Sequence, residues 1–286
     1  MVMDISNAAI NAGANLQIYE SNKSNAQKFI AKKTADGYWE LVPYCSGKML
    51  EVVGGTPSKW VNAAQNVETD SDAQKWTVRT NGDGTITFIS KADSITAVLN
   101  VTSKADTQYV LDVANAGTAN YTNVQCYNDN GTAAQKFRAE KVGTVPYLAG
   151  QYSIKSSVGT DMYLNVEGGS ADNFTNIDIR TKDGSASQSF RLAYAPNGMY
   201  RILTFCGSAV DVYNANKARG TNVNQYGMNY SAAQNWYIEG NTDGTVSFKS
   251  ECNGLYMDVK GGQADEGNNV QVWGGNGSAA QKWTLM

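Results

Sequence analysis

The stretch MDVKGGQADEGNNVQVWGGNGSAAQKW, residues 257–283, sets Asp258 between two apolar residues and, 23 positions later, places Gln281 at the head of a Gln-x-Trp triplet. The same offset recurs as Asp4/Gln27, Glu51/Gln74, Asp112/Gln135, Asn165/Gln188 and Asp211/Gln234. A fixed period of this kind marks a repeat architecture. The chain is six copies of one unit of about 47 residues, and its copies can be compared by counting back from each Gln as position zero. Successive Gln residues lie 47, 61, 53, 46 and 47 apart. The 61 reflects about fourteen extra residues between Gly84 and Asp112, and the 53 a linker around Lys141 to Gly150 that includes Pro146. That linker divides the six repeats into three plus three.

Position +2 is a large aromatic in every copy: Phe29, Trp76, Phe137, Phe190, Trp236 and Trp283. The residue at −23 is flanked by apolar neighbours every time, from Met3 and Ile5 to Met257 and Val259. On a strand, residues two apart share a face, so the flanking pair faces a core and the residue between them points away, toward solvent. Position −12 is Asn throughout (Asn15, Asn62, Asn123, Asn176, Asn222, Asn269), which suggests a turn. The Gln and its aromatic are assigned to the core, with the Gln amide satisfying backbone groups where strand meets loop. Asp36-Gly37, Asp83-Gly84, Asn197-Gly198 and Asp243-Gly244 fall between repeats and read as hairpins; they lack the ligand count of calcium loops.

Composition narrows the function. The net charge is −3 and the pI near 5.1, so the basic footprint of a nucleic-acid binder is missing. No apolar run reaches 18 residues. His is absent, which removes the commonest general base and metal ligand, and the four Cys lack metal-ligand spacing. Cys45, Cys206 and Cys252 hold similar places in their repeats and read as small buried hydrophobes. No cofactor or metal is expected.

The Leu-Asp-Val, Val-Gln-Val-Trp and Gln-Lys-Trp motifs, as in residues 257–283 with Met at 257, resemble the ricin B-type lectin family. The resemblance spans nearly the whole chain. It implies an all-β protein of two tandem β-trefoil domains, at 1–142 and 150–286. A six-bladed propeller is the structural rival, disfavoured by the linker after the third repeat. Repeat one has only three residues before Asp4, where other copies have 13 to 15 after their opening turn, so its first strand is missing. Either the chain was cut from a longer parent, or the insert near 85–111 fills the gap.

Four positions vary together. Repeats one, three, five and six carry Asp at −23 (Asp4, Asp112, Asp211, Asp258) and an aromatic at −8 (Tyr19, Tyr127, Tyr226, Trp273). The same repeats carry Asn at −5 (Asn22, Asn130, Asn229, Asn276) and an amide at −10 (Gln17, Gln125, Asn224, Gln271). Repeat two has Glu51, Asn66, Thr69 and Ala64 instead, and repeat four has Asn165, Arg180, Asp183 and Asp178. Joint retention points to a shared ligand. A flat ring can cover the C–H face of a pyranose, an ionised carboxylate accepts from vicinal hydroxyls, and an amide both donates and accepts. In the resembled family the matching positions contact galactose-type sugars or xylan units, which implies four carbohydrate sites here. Each site is shallow, with an expected Kd on the order of 0.1–10 mM, and multiplicity raises avidity by roughly 10²–10⁴-fold.

Catalysis is not expected. Glycoside hydrolysis needs two carboxylates across a cleft, and the shared pattern offers one. The alternatives are a protein-interaction or inhibitor trefoil, or the targeting module of a larger glycan-active enzyme. Glycans as partners imply secretion or surface display. The isolated chain is expected to be a monomer.

Overall fold

The computed structural model describes residues 1–93, 108–142 and 148–286, and these form strands joined by turns and single-turn 3-10 helices. They fall into two compact units, Met1–Tyr147 and Leu148–Met286. Each unit is a β-trefoil, so the protein is all-β with two tandem copies of one threefold fold. The predicted linker includes residues 143–147, which lie outside the described ones.

Repeat six shows the plan. Strands Val246–Ser250, Tyr256–Val259 and Asn268–Trp273 are followed by a 3-10 turn at Ala279–Gln281 and a last strand, Trp283–Leu285. The outer two strands of a repeat build the barrel and the inner two form a hairpin. In that hairpin Asp258 stands directly opposite Gln271. Met257 and Val259 are fully buried, which fixes the register: a slip of one residue would turn both outward and Asp258 inward. The Asp-Gly and Asn-Gly turns sit between repeats, with Gly37, Gly84, Gly198 and Gly244 all at positive φ.

Two expectations about recurring residues are corrected by the structure. The −12 Asn residues are not turn residues. They bridge the third strands of neighbouring repeats around each unit's pseudo-threefold axis: Asn15 to Ala64, Asn62 to Gln125 and Asn123 to Gln17 in the first unit. The second unit repeats the cycle with Asn176, Asn222 and Asn269. Their amides bond one another, with Asn62 Nδ2 donating to Asn15 Oδ1 at 2.7 Å and Asn222 Nδ2 to Asn176 Oδ1 at 2.9 Å. A backbone approach this close at an axis leaves amide edges to be satisfied, and another Asn does so. The cysteines are also not uniformly buried: all four are free, Cys45 and Cys126 are buried, and Cys206 is exposed.

The aromatics of the Gln-x-aromatic triplets differ in burial. Trp76, Phe190, Trp236 and Trp283 are fully buried, but Phe29 and Phe137 are only partly so. The physical reason lies in a strand pairing that the described residues of the first unit lack. In the second unit Gly150–Tyr152 pairs with the Phe190 strand, and Ile154–Ser156 pairs with Trp283–Leu285. Among the described residues of the first unit nothing takes that place, so both phenylalanines border it. The expectation that the insert fills the gap falls on residues 94–107, outside the described ones, because 86–90 and 109–113 form the ordinary strands Ile86–Ser90 and Tyr109–Val113. Each triplet Trp also locks its hairpin: Trp76, Trp236 and Trp283 donate their indole N–H to the carbonyl oxygens of Leu50, Val210 and Met257, one residue before the −23 position.

Candidate functional site

The register brings the −23 and −10 residues face to face in every repeat: Asp4 with Gln17, Asp112 with Gln125, Asp211 with Asn224 and Asp258 with Gln271. The −8 aromatic lies two residues beyond −10 and so shares that face. Asp258, Gln271 and Trp273 are therefore on one side of one hairpin, as are their counterparts.

The triplet Gln organises the site. Gln281 Oε1 accepts the Asn276 N–H at 2.9 Å, while Nε2 donates to Gly274 O at 2.9 Å and to Asp258 Oδ2 at 3.0 Å. Gln27 and Gln135 make the same set with Asn22, Glu20 and Asp4, and with Asn130, Asn128 and Asp112. One amide thus joins the strand that carries the acid to the loop that carries the −5 Asn. This direct bond to the acid was not anticipated from sequence.

The acids are not exposed as expected. Asp4, Asp112, Asp211 and Asp258 are each 5–6% exposed. The inward-facing neighbours hold the backbone low, and at Asp4, Asp112 and Asp258 two amides cover the carboxylate from the sides. Asp258 Oδ1 takes Gln271 Nε2 at 3.0 Å and Oδ2 takes Gln281; Asp4 is held the same way by Gln17 and Gln27. A carboxylate has about four lone-pair sites, so two such bonds orient it and still leave acceptor capacity.

The −5 Asn residues also have a structural duty. Asn22, Asn130, Asn229 and Asn276 each accept, through Oδ1, the N–H two residues on, at 2.9–3.0 Å. Asp183 makes the same bond to Ser185 in repeat four. The turn needs only the oxygen; what distinguishes Asn from Asp183 and Thr69 is the remaining amide donor.

Repeats two and four close the equivalent space from within. Asn66 Nδ2 donates to Glu51 Oε1 at 2.7 Å, and Gln74 takes the other oxygen. In repeat four the acid and amide trade strands: Asn165 Nδ2 donates to Asp178 Oδ1 at 2.6 Å, and Arg180 Nε pairs with Asp178 Oδ2 at 2.9 Å. In both repeats the −8 side chain spends itself on the acid.

Burial raises the pKa of Asp112 and Asp258, and their two amide donors work against it. Asp211 goes further, to about 6, because burial is offset only by Gln234. Asn224 is one methylene shorter than Gln and turns its Nδ2 to Gln225 O instead, leaving its own Oδ1 buried without a partner. The folded state therefore holds a proton on Asp211 at pH values where the unfolded chain has lost it. That contribution is fully present below about pH 4 and is lost as pH rises through about 6. Asp211→Asn is expected to remove this loss and to stabilise the second unit at pH 7.5 by about 1–3 kcal/mol, allowing for solvent screening at the rim. Chemical denaturation at pH 4, 5, 6 and 7.5 reads it; a difference between variant and parent that does not change with pH would contradict it.

Sequence reasoning missed one position altogether. At −14 all six backbones are left-handed: Gly13, Gly220 and Gly267 at φ 80, 81 and 74, but Trp60, Tyr121 and Phe174 at φ 67, 67 and 66. A bulky L residue there costs roughly 1–2 kcal/mol. The −14 N–H crosses to the neighbouring repeat, Trp60 to Cys126 O, Tyr121 to Ile18 O and Phe174 to Gln225 O. The ring consequently lies beside that neighbour's −8 aromatic. Tyr121 meets Tyr19 with centroids 5.1 Å apart, Trp60 meets Tyr127 at 6.1 Å, and Phe174 meets Tyr226 at 4.8 Å. At the Trp273 site the lender is Gly220. The signal was present as Gly in three repeats and a large aromatic in the other three at one fixed offset.

The sequence profile of the family described as ricin-type beta-trefoil lectin domain-like matches residues 1–60, 25–108, 144–226 and 232–286. The chain belongs to this family, and carbohydrate binding in general is the function that membership supports. No curated protein matches the chain. Similar solved structures include the designed threefold-symmetric protein ThreeFoil, 28% identical over 48% of this chain and 97% of that one, with a TM-score of 0.46. The Rhizoctonia solani agglutinin is 21% identical over 50% of this chain and 99% of its own, with a TM-score of 0.44. The Polyporus squamosus lectin, solved with a human-type influenza-binding epitope, is 19% identical over 48% of each chain, with a TM-score of 0.42.

Proposed function

We propose that this protein is a non-catalytic, multivalent carbohydrate binder that uses the hairpins of repeats one, three, five and six. The observation that carries this reading is the state of the acid. In repeats two and four the −8 side chain, Asn66 or Arg180, bonds the acid and fills the space before it. In the other four the −8 residue is an aromatic ring on the same face as the acid, available to a pyranose. The carboxylate then takes two vicinal hydroxyls, the ring covers the C–H face, and the −5 amide donates from the rim. Galactose or N-acetylgalactosamine termini and xylan-type chains present such hydroxyl pairs, and both sit outside cells, which supports secretion or surface display. Each repeat offers one acid fixed by amides rather than two carboxylates across a cleft, which supports binding without hydrolysis.

Titration calorimetry with galactose, lactose, N-acetylgalactosamine and xylooligosaccharides is expected to show millimolar binding to at least one of them. Asp258→Ala with Trp273→Ala should reduce the number of sites by one. Absence of heat from all four sugars at tens of millimolar would refute the reading.

A further inference from the structure

The backbone at −14 does not require an aromatic. Glycine occupies the same backbone conformation in three of the six repeats, and the same cross-repeat hydrogen bond forms there, as Gly220 N–H to Val272 O and Gly267 N–H to Ile179 O show. Trp60, Tyr121 and Phe174 bring strain where glycine brings none. Nor do they gain much burial, since they remain 67%, 65% and 51% exposed. What they gain is position. Each ring stands across from the −8 aromatic of the adjacent repeat at 58–70°, so the two make an angled pair of walls rather than a stack. A strained, exposed ring held beside a candidate site is better explained by a ligand than by packing.

We propose that Trp60, Tyr121 and Phe174 are a second sugar-stacking wall, lent by one repeat to the site of its neighbour. They would make the sites of repeats three, one and five selective for oligosaccharides. The proposal rests on the carbohydrate-binding reading above. The first pyranose lies in the acid, amide and −8 aromatic cradle, and the next unit of the chain lies against the borrowed ring. The site at Asp258 and Trp273 has Gly220 in that place and takes a single terminal unit. At the repeat-three site Lys59 Nζ lies over the Tyr127 ring, 5.4 Å from its centre.

The test restores glycine. The triple variant Trp60→Gly, Tyr121→Gly and Phe174→Gly is made in a Trp273→Ala background, so that the one-walled site does not dominate the signal. Affinities are measured by calorimetry for xylose against xylotetraose and for galactose against lactose. The ratio of oligosaccharide to monosaccharide affinity for the sugar series that binds is expected to fall about 3- to 10-fold, the size of one lost aromatic contact. The melting temperature is expected to hold or rise by a few degrees as strain is relieved. An unchanged ratio overturns the proposal while leaving carbohydrate binding intact. A marked fall in melting temperature with an unchanged ratio overturns it too and assigns the rings to the fold. If the parent protein binds neither sugar series, this inference falls together with the reading it rests on.

Discussion

Gln281→Leu is expected to lower the stability of the second unit by about 3–5 kcal/mol and to remove the repeat-six site with it. The substituted side chain fills a similar volume, so the loss is polar. Three groups lose a partner: the Asn276 N–H, the Gly274 carbonyl and Asp258 Oδ2. Each buried group left unpaired costs about 1–3 kcal/mol, more for a charge, and partial access of water to the loop groups reduces the sum. The loop from 274 to 278 is also released from the strand carrying Asp258, so the −5 Asn no longer stands at a fixed distance from the acid. Gln271→Leu is the internal comparison. It removes one bond to Asp258, at 3.0 Å, and should cost about 1–2 kcal/mol. Urea denaturation of the two variants decides the matter. Equal losses would mean that the triplet Gln is not the joint between strand and loop.

The same contrast explains what could be read from the sequence and what could not. The repeat, the hairpin strands and the linked set of acid, amide, aromatic and Asn were legible because they are local: an apolar pair around a polar residue fixes a face, and a constant offset fixes a register. The bond between Gln281 and Asp258 was not legible, although both residues were singled out. It joins positions 23 apart through a turn whose path only the fold specifies. The depth of the acids escaped for a related reason. Alternation says which way Asp258 points, but not that two amides flank it and leave it 5% exposed. The −12 Asn residues were misassigned because their partners come from other repeats, around an axis that no single repeat contains. The wall formed by Trp60, Tyr121 and Phe174 shares that origin: its meaning depends on which repeat stands next in space.

Removing the −8 rings one site at a time should separate affinity from avidity. Trp273, Tyr226, Tyr127 and Tyr19 are all partly exposed, and Trp273, at 39%, is the most accessible, so their replacement by Ala leaves the buried acid–amide frame in place. Each single variant is expected to lose one site in solution titrations, with little change in the affinity of those that remain. Retention on a densely glycosylated surface should respond far more steeply. Several millimolar sites acting together gain from effective concentration, so the variant with all rings but one removed should fall by roughly 10²–10⁴-fold in apparent affinity. Surface plasmon resonance at high and low glycan density measures this. At low density the parent should approach single-site behaviour, because a second site finds no sugar within reach. If Trp273→Ala alone abolishes retention at high density, one site does all the binding and the repetition of the quartet has another cause. If retention falls stepwise with each ring, recognition by this chain is a property of its repeats acting together.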